Sequence, residues 1–276
     1  MQGPDDGPPL DRRSFQATRW GTEHGFVVVG DEIAVEEPLE IRLTTVPVAV
    51  VMRSPGRDLD LAVGFLFGEG ILRDPSDLIS VETCRDEGGE PTPNIVTVRA
   101  RGADPKAMER ARREIYASSS CGICGKSTLE AIRLIAPAAT PTPAMTVAVV
   151  AELTDQLRKG QVLFAQTGAV HGAALVDRRG QVLDLAEDVG RHNAVDKIVG
   201  AAVRSNTWPL AGLALVLSGR VSFELVQKAA MSGASALIAV SAPTSLAVEL
   251  AREHGLTLIG FARDGRFTVY SGALSP

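Results

Sequence analysis

The chain has 276 residues, 45% of them hydrophobic and 4% aromatic, with a formal net charge of −5. That length and apolar content exclude a disordered chain and require a core built from Val, Leu, Ile and Ala. The mildly acidic balance speaks against a protein that coats nucleic acid, no apolar run is long enough to span a bilayer, and three cysteines do not make a secreted disulfide framework.

Residues 1–20, "MQGPDDGPPLDRRSFQATRW", are rich in Gly, Pro and charge and lack the apolar run of a signal peptide. They read as a mobile tail on a cytoplasmic protein. From Phe26, "FVVVGDEIAVEEPLEIRLTTVPVAVVMRSPG" reads as strands with turns at Gly30–Asp31 and Pro55–Gly56. "DLDLAVGFLFGEGIL" predicts a helix that Asp58 or Asp60 caps, with Gly70 near its end. "NIVTVRA" alternates as a strand, and "DPKAMERARREIYA" is a helix with Pro105 in its first turn. A cysteine loop, "SSSCGICGK", and a short helix, "STLEAIRLI", complete a smaller mixed α+β part over 21–135.

The Pro-rich run 136–144, "APAATPTPA", marks a linker between this part and a second domain, 145–276. There "VAVVAELTDQLRKG" is helical and "AALVDRRGQVLDLAED" is two strands joined at Arg179–Gly180. Helix and strand then alternate to "LTLIGF". Apolar strands separated by amphipathic helices predict an α/β sheet buried on both faces. One chain covers the edges of such a sheet poorly, which predicts a two-fold homodimer.

Cys121 and Cys124 leave several readings open. A structural zinc needs about four ligands. The pair supplies two, while Cys84 and the singly placed His24, His171, His192 and His254 supply no second pair, so no metal site is expected. A thioredoxin-like pair would follow a strand directly, and here "ASSS" precedes it. The thiols can also be without a role. The remaining reading is a movable nucleophile: glycines and serines let the loop change shape, and Lys126 with the following helix start favours thiolate. Such a thiolate can carry sulfane sulfur as a persulfide, with the second thiol helping its release.

"AEDVGRHNAVDK" (186–197) gathers Glu187, Asp188, Arg191, His192, Asn193, Asp196 and Lys197 at a helix start. It is either a polar helix cap or a site. "TGAVHGAA", "LSGRVS" and "SAPTSLA" are further turns beside apolar strands, at the sheet edge where α/β proteins bind ligands. "GFARDGR" follows the last strand and sets an aspartate between two arginines. Arginines suit phosphates, and a carboxylate can accept two hydrogens from guanine.

Together, "EEPLEIRL", "VMRSPGRDLDLAVGFLFGEGI", "SSSCGICGK", "TGAVHGAAL", "AEDVGRHNAVDKIVG", "LSGRVSFELVQK", "SAPTSLAVELA" and "GFARDGRF" resemble, in order, the formate dehydrogenase accessory sulfurtransferase family (FdhD/NarQ type). The resemblance runs from about residue 36 to the C-terminus; it departs at Ala169, where many relatives carry glycine. It implies a cytidine-deaminase-like three-layer C-terminal domain beside the smaller α+β part. It implies a sulfurtransferase that takes persulfide sulfur from a cysteine desulfurase. The sulfur goes to the molybdenum or tungsten bis-guanine-dinucleotide cofactor, bound as cargo, before the cofactor enters the formate dehydrogenase catalytic subunit. Cys121 is then the persulfide carrier and Cys124 its partner. Phe261, Ala262, Arg263, Asp264, Gly265 and Arg266 contact the guanine nucleotide, and His192 and Asn193 are candidates for the pterin side. The competing reading is a maturation chaperone that holds the cofactor without passing sulfur.

Overall fold

A computed structural model describes residues 11–86, 88–109 and 145–275. β1 (Arg12–Gly21) and β2 (Gly25–Ala34) pair as an antiparallel ribbon. Residues 12–20 are therefore strand where a tail was expected, because Phe15, Thr18 and Trp20 favour extended backbone and β2 satisfies their hydrogen bonds. The turn expected at Gly30–Asp31 lies inside β2; the chain reverses at 22–24 instead.

β3 (Glu37–Leu43), β4 (Val46–Arg53), β5 (Leu78–Arg85) and β6 (Pro91–Ala100) form a four-stranded sheet in the order β4-β3-β6-β5. Strand alternation turns Leu39, Ile41 and Leu43 inward. α1 (Asp58–Gly68) is buried on every side from Leu61 onward, as its nearly unbroken apolar sequence requires. Its N-cap is Arg57, in the left-handed region, and not an aspartate. Asp58 and Asp60 are engaged by Arg53 and Arg57 instead.

The second part begins with α2 (Val147–Gly160) and α3 (Val162–Thr167). β7 (His171–Val176), β8 (Val182–Asp188), α4 (Arg191–Arg204), β9 (Ala214–Leu217), α5 (Phe223–Met231), β10 (Ala236–Ala239), α6 (Ser245–Glu253), β11 (Thr257–Arg263) and β12 (Arg266–Ser271) follow. The sheet order is β12-β11-β10-β9-β7-β8. β9, β10 and β11 run parallel and are joined through α5 and α6, because parallel neighbours need a crossover. Alternation divides the strands between two cores. Ala214 and Val216 meet Val150, Leu153 and Leu157 of α2. Leu215 and Leu217 face the core that holds α4, α5 and α6. Helices thus pack on both faces of the six-stranded sheet.

The larger core does not stop at the helices. It continues through α1 into Leu39, Ile41, Val96 and Val98 of the four-stranded sheet. The two parts thus share one interior, and the expected linker 136–144 lies outside the described residues. α1 crosses α4 at two glycines. A Cβ on Gly64 would lie 1.8 Å from the Asp196 carbonyl oxygen, and one on Gly200 1.8 Å from that of Asp60. Backbone meets backbone there, so no side chain can yield. Gly64→Ala or Gly200→Ala is expected to destabilise the protein by about 3 kcal/mol, read as a lower Tm in a thermal melt; an unchanged Tm would show that the crossing relaxes freely.

Candidate functional site

The carboxyl ends of β9, β10 and β11 and the amino end of the antiparallel β7 lie along one edge of the six-stranded sheet. A cavity of about 580 Å³ opens there. His171, Ser218 and Val240 line it from the strand ends, and Arg263 and Asp264 from the β11–β12 hairpin. Asp155 and Arg158 of α2, with Gln161 and Phe164, close the other side. Two carboxylates, two guanidiniums and an imidazole therefore share one hollow within the size range of small-molecule sites.

β12 follows "GFARDGR", so the strand before it is not the last, and the run forms a hairpin. Arg263 pairs with Arg266 across a turn at Asp264 and Gly265, both at positive φ (53° and 69°). A two-residue turn with both centres left-handed matches the twist of the strands. The irregularity at Gly260–Arg263, with Phe261 at φ 54°, sends neighbours apart. Ala262 is buried in the α2-side core. Phe261, 41% exposed, lines a smaller hollow of about 240 Å³ with Arg263 and Arg266. Of the six predicted nucleotide contacts, Arg263 and Asp264 alone line the larger cavity.

The two residues assigned to the pterin side do not line it either. His192 places Nε2 2.9 Å from a Glu224 carboxylate oxygen and 3.2 Å from the Ser222 hydroxyl. That contact, above all, holds the Glu224 carboxyl below its ordinary range. Asn193 is buried, and its amide donates to the Met52 carbonyl and to Asp188. It holds α4 against β4. Cys121 and Cys124 lie outside the described residues.

Behind the cavity, consecutive residues of β8 point to opposite partners. Glu187 accepts from the backbone N–H groups of Leu163 and Phe164, both at 2.8 Å, and so satisfies the start of α3. Asp188, fully buried, accepts from Ser54, Gly190 and Asn193 and lies 2.8 Å from the Lys197 ammonium. Lys197 also donates to the Ser54 and Glu187 carbonyls. The polar run at 186–197 is thus mostly the fastening between the two parts.

The FdhD/NarQ family model matches residues 34–275. This chain belongs to the FdhD/NarQ family. Relatives named sulfur carrier protein FdhD include one from Streptomyces coelicolor, 47% identical over 248 residues, which cover 88% of each chain. Others come from Nocardia farcinica, 46% identical over 91% of this chain and 90% of its own, and Mycobacterium tuberculosis, 45% identical over 88% and 91%. A crystal structure from Desulfotalea psychrophila, proposed as a formate dehydrogenase accessory protein, shares the fold. Its TM-score is 0.74 at 23% identity, with 96% of this chain and 98% of that one covered. The span assigned to the family contains the cavity, the hairpin and both cysteines of the CxxC run.

Sequence reasoning had marked the turns that bear His171 and Ser218 and had read α2 as a helix, but gave no site role to α2 or Gln161. The signal for these was the break between two helical stretches after Gly160. Burial lowers the His171 pKa from its ordinary 6.5, and the nearby Arg191, His192 and Arg220 lower it further against the pull of Asp188. A folded value below the unfolded one means that stability is lost as pH falls from about 6.5 through the folded midpoint. An NMR titration is expected to place the His171 midpoint below 6.5, and Arg220→Met to raise it. A midpoint that ignores Arg220→Met would remove the electrostatic account.

Proposed function

We propose that this FdhD/NarQ family member is a sulfur carrier in formate dehydrogenase maturation, acting as a sulfurtransferase in the cytoplasm. A cysteine desulfurase is the donor. The molybdenum or tungsten bis-guanine-dinucleotide cofactor is the cargo, and the formate dehydrogenase catalytic subunit is the client. Identity of 45–47% over nearly nine-tenths of the chain with relatives named sulfur carriers carries this reading. The cavity supports it: Asp264 offers acceptors for the N1–H and N2–H₂ of guanine, and Arg263 and Arg158 suit phosphates. We assign the nucleotide end of the cargo to this hollow. The six-stranded domain is proposed as cytidine-deaminase-like in fold, but residues 145–276 contain no cysteine, so they lack the ligand set of a zinc deaminase.

In this mechanism the Cys121 thiolate attacks the terminal sulfur of the donor persulfide. The donor S–S bond breaks, the donor thiolate leaves with the electron pair, and sulfane sulfur stays on Cys121. The Cys124 thiolate then attacks Sγ of Cys121. That breaks the persulfide bond, releases sulfur at the sulfide level to the cargo and leaves a disulfide, which a dithiol reductant returns to two thiols.

Incubation with a desulfurase and cysteine is expected to add about 32 Da at Cys121, and Cys121→Ala to lose both the adduct and client activation. Client activation without the adduct would favour a chaperone that passes no sulfur. A homodimer is also proposed. Trp20, Phe26 and Val28 on one face of the β1–β2 ribbon, and Phe15, Val27 and Ile33 on the other, are 42–75% exposed. A two-stranded ribbon is marginal alone in water. Light scattering at micromolar concentration should give twice 29.1 kDa; the monomer mass would count against the dimer.

A further inference from the structure

α2 and α3 would make one continuous helix but for Gln161, whose backbone leaves the helical region at ψ 82°. The break turns a polar side chain inward. Gln161 is 4% exposed, lines the cavity, and its Nε2 has no hydrogen-bond partner among the described residues. Leaving such a donor buried and without a partner costs the full desolvation of the group. The fold nonetheless holds the side chain in place from two directions. Glu187 fixes the start of α3 through Leu163 and Phe164. Gly172 of β7 provides the floor: a Cβ there would lie 2.7 Å from Cδ of Gln161. The floor itself is tied down, since the Gly172 N–H donates to the Ser218 hydroxyl at 2.9 Å.

We propose that Gln161 is a specificity-determining residue that donates to the carbonyl oxygen of a bound guanine, beside the contact Asp264 makes to the same base. This rests on the nucleotide reading of the cavity. The remaining groups of the hollow divide by chemistry. Arg158 and Arg263 are cations, suited to phosphate; Asp155 and Asp264 are acceptors, suited to N–H groups. A neutral amide N–H buried among them is matched to a neutral carbonyl. Guanine carries its O6 carbonyl next to the N1–H and N2–H₂ groups that a carboxylate accepts. Adenine presents an amino donor in place of O6, which would meet the Gln161 donor and leave both unpaired.

Calorimetry on the full chain, with GDP, IDP and ADP, separates the roles. Gln161→Met keeps the packing over Gly172 and removes the donor. It is expected to weaken GDP and IDP alike by about tenfold, since both bear O6, and to leave ADP nearly unchanged. Asp264→Ala is expected to weaken GDP more than IDP, which lacks the 2-amino group. Gln161→Glu, with the shape kept and the donor replaced by a carboxylate, should lose the preference for GDP as well. A full preference for GDP in both Gln161 variants overturns the assignment, and so does an equal loss for all three nucleotides, the mark of packing alone. A wild-type protein that binds GDP and ADP equally overturns the nucleotide reading of the cavity itself, and the role of Gln161 with it.

Discussion

Two glycines decide how close α1 and α4 come, and the rest of the molecule is arranged around that distance. Gly64 and Gly200 let the backbones of the helices touch. α1 is thereby enclosed between α4 and the four-stranded sheet, and its apolar surface is covered on every side. Without that contact α1 would be a hydrophobic helix with no place to bury it. Because the contact lies between residues far apart in the chain, it also joins the small sheet and the large one into one core. The small sheet has no interior apart from this shared core, whereas the six-stranded part also keeps its own on the α2 side.

The close crossing also takes charged residues out of water, and each has been given partners. Arg57 bridges Asp60, Asp184 and the Lys197 carbonyl. Lys228, buried, lies 2.7 Å from Glu69 and 3.0 Å from Asp196. Burial would lower the Lys228 ammonium, but these two carboxylates outweigh it and raise it. Such pairs are weak sources of stability and strict in geometry, since a lost partner strands a buried charge. Their effect here is positional. Asp188 and Lys197 fix the end of β8, which sets Glu187, which in turn holds α3 and the helix break at Gln161. The wall of the cavity is thus aligned by the seam between the two parts.

The described residues that flank 110–144 are each held by the fold. On one side, Asp104 accepts from the backbone of Lys106 and Ala107 at the start of the helical residues 105–109. On the other, Met145 is buried; its carbonyl accepts from the Ser275 N–H, and the Ser275 carbonyl accepts from the Val147 N–H.

Periodicity and turn chemistry made most elements legible. The alternation of apolar strands and amphipathic helices after Met145, the chain reversal at Arg179–Gly180 and the apolar helix from Asp58 are local patterns, and they stand where the sequence placed them. The family, too, could be recognised from motifs in order. What was misread depended on partners distant in the chain. Trp20 and Phe15 are strand because β2 pairs with them, whereas their neighbours by sequence look like a tail. Asn193 is a candidate ligand by type but a fastening by position, since its amide meets Met52 and Asp188. Arg263 and Asp264 turn to the cavity while Ala262 turns to the core, because an irregularity in β11 changes the direction of successive side chains. Gln161 is an ordinary polar residue in the sequence. Only the packing of α3 on Glu187 and of its own amide on Gly172 makes it a buried donor, since burial and hydrogen-bond partnership are properties of the assembled fold and not of the residue.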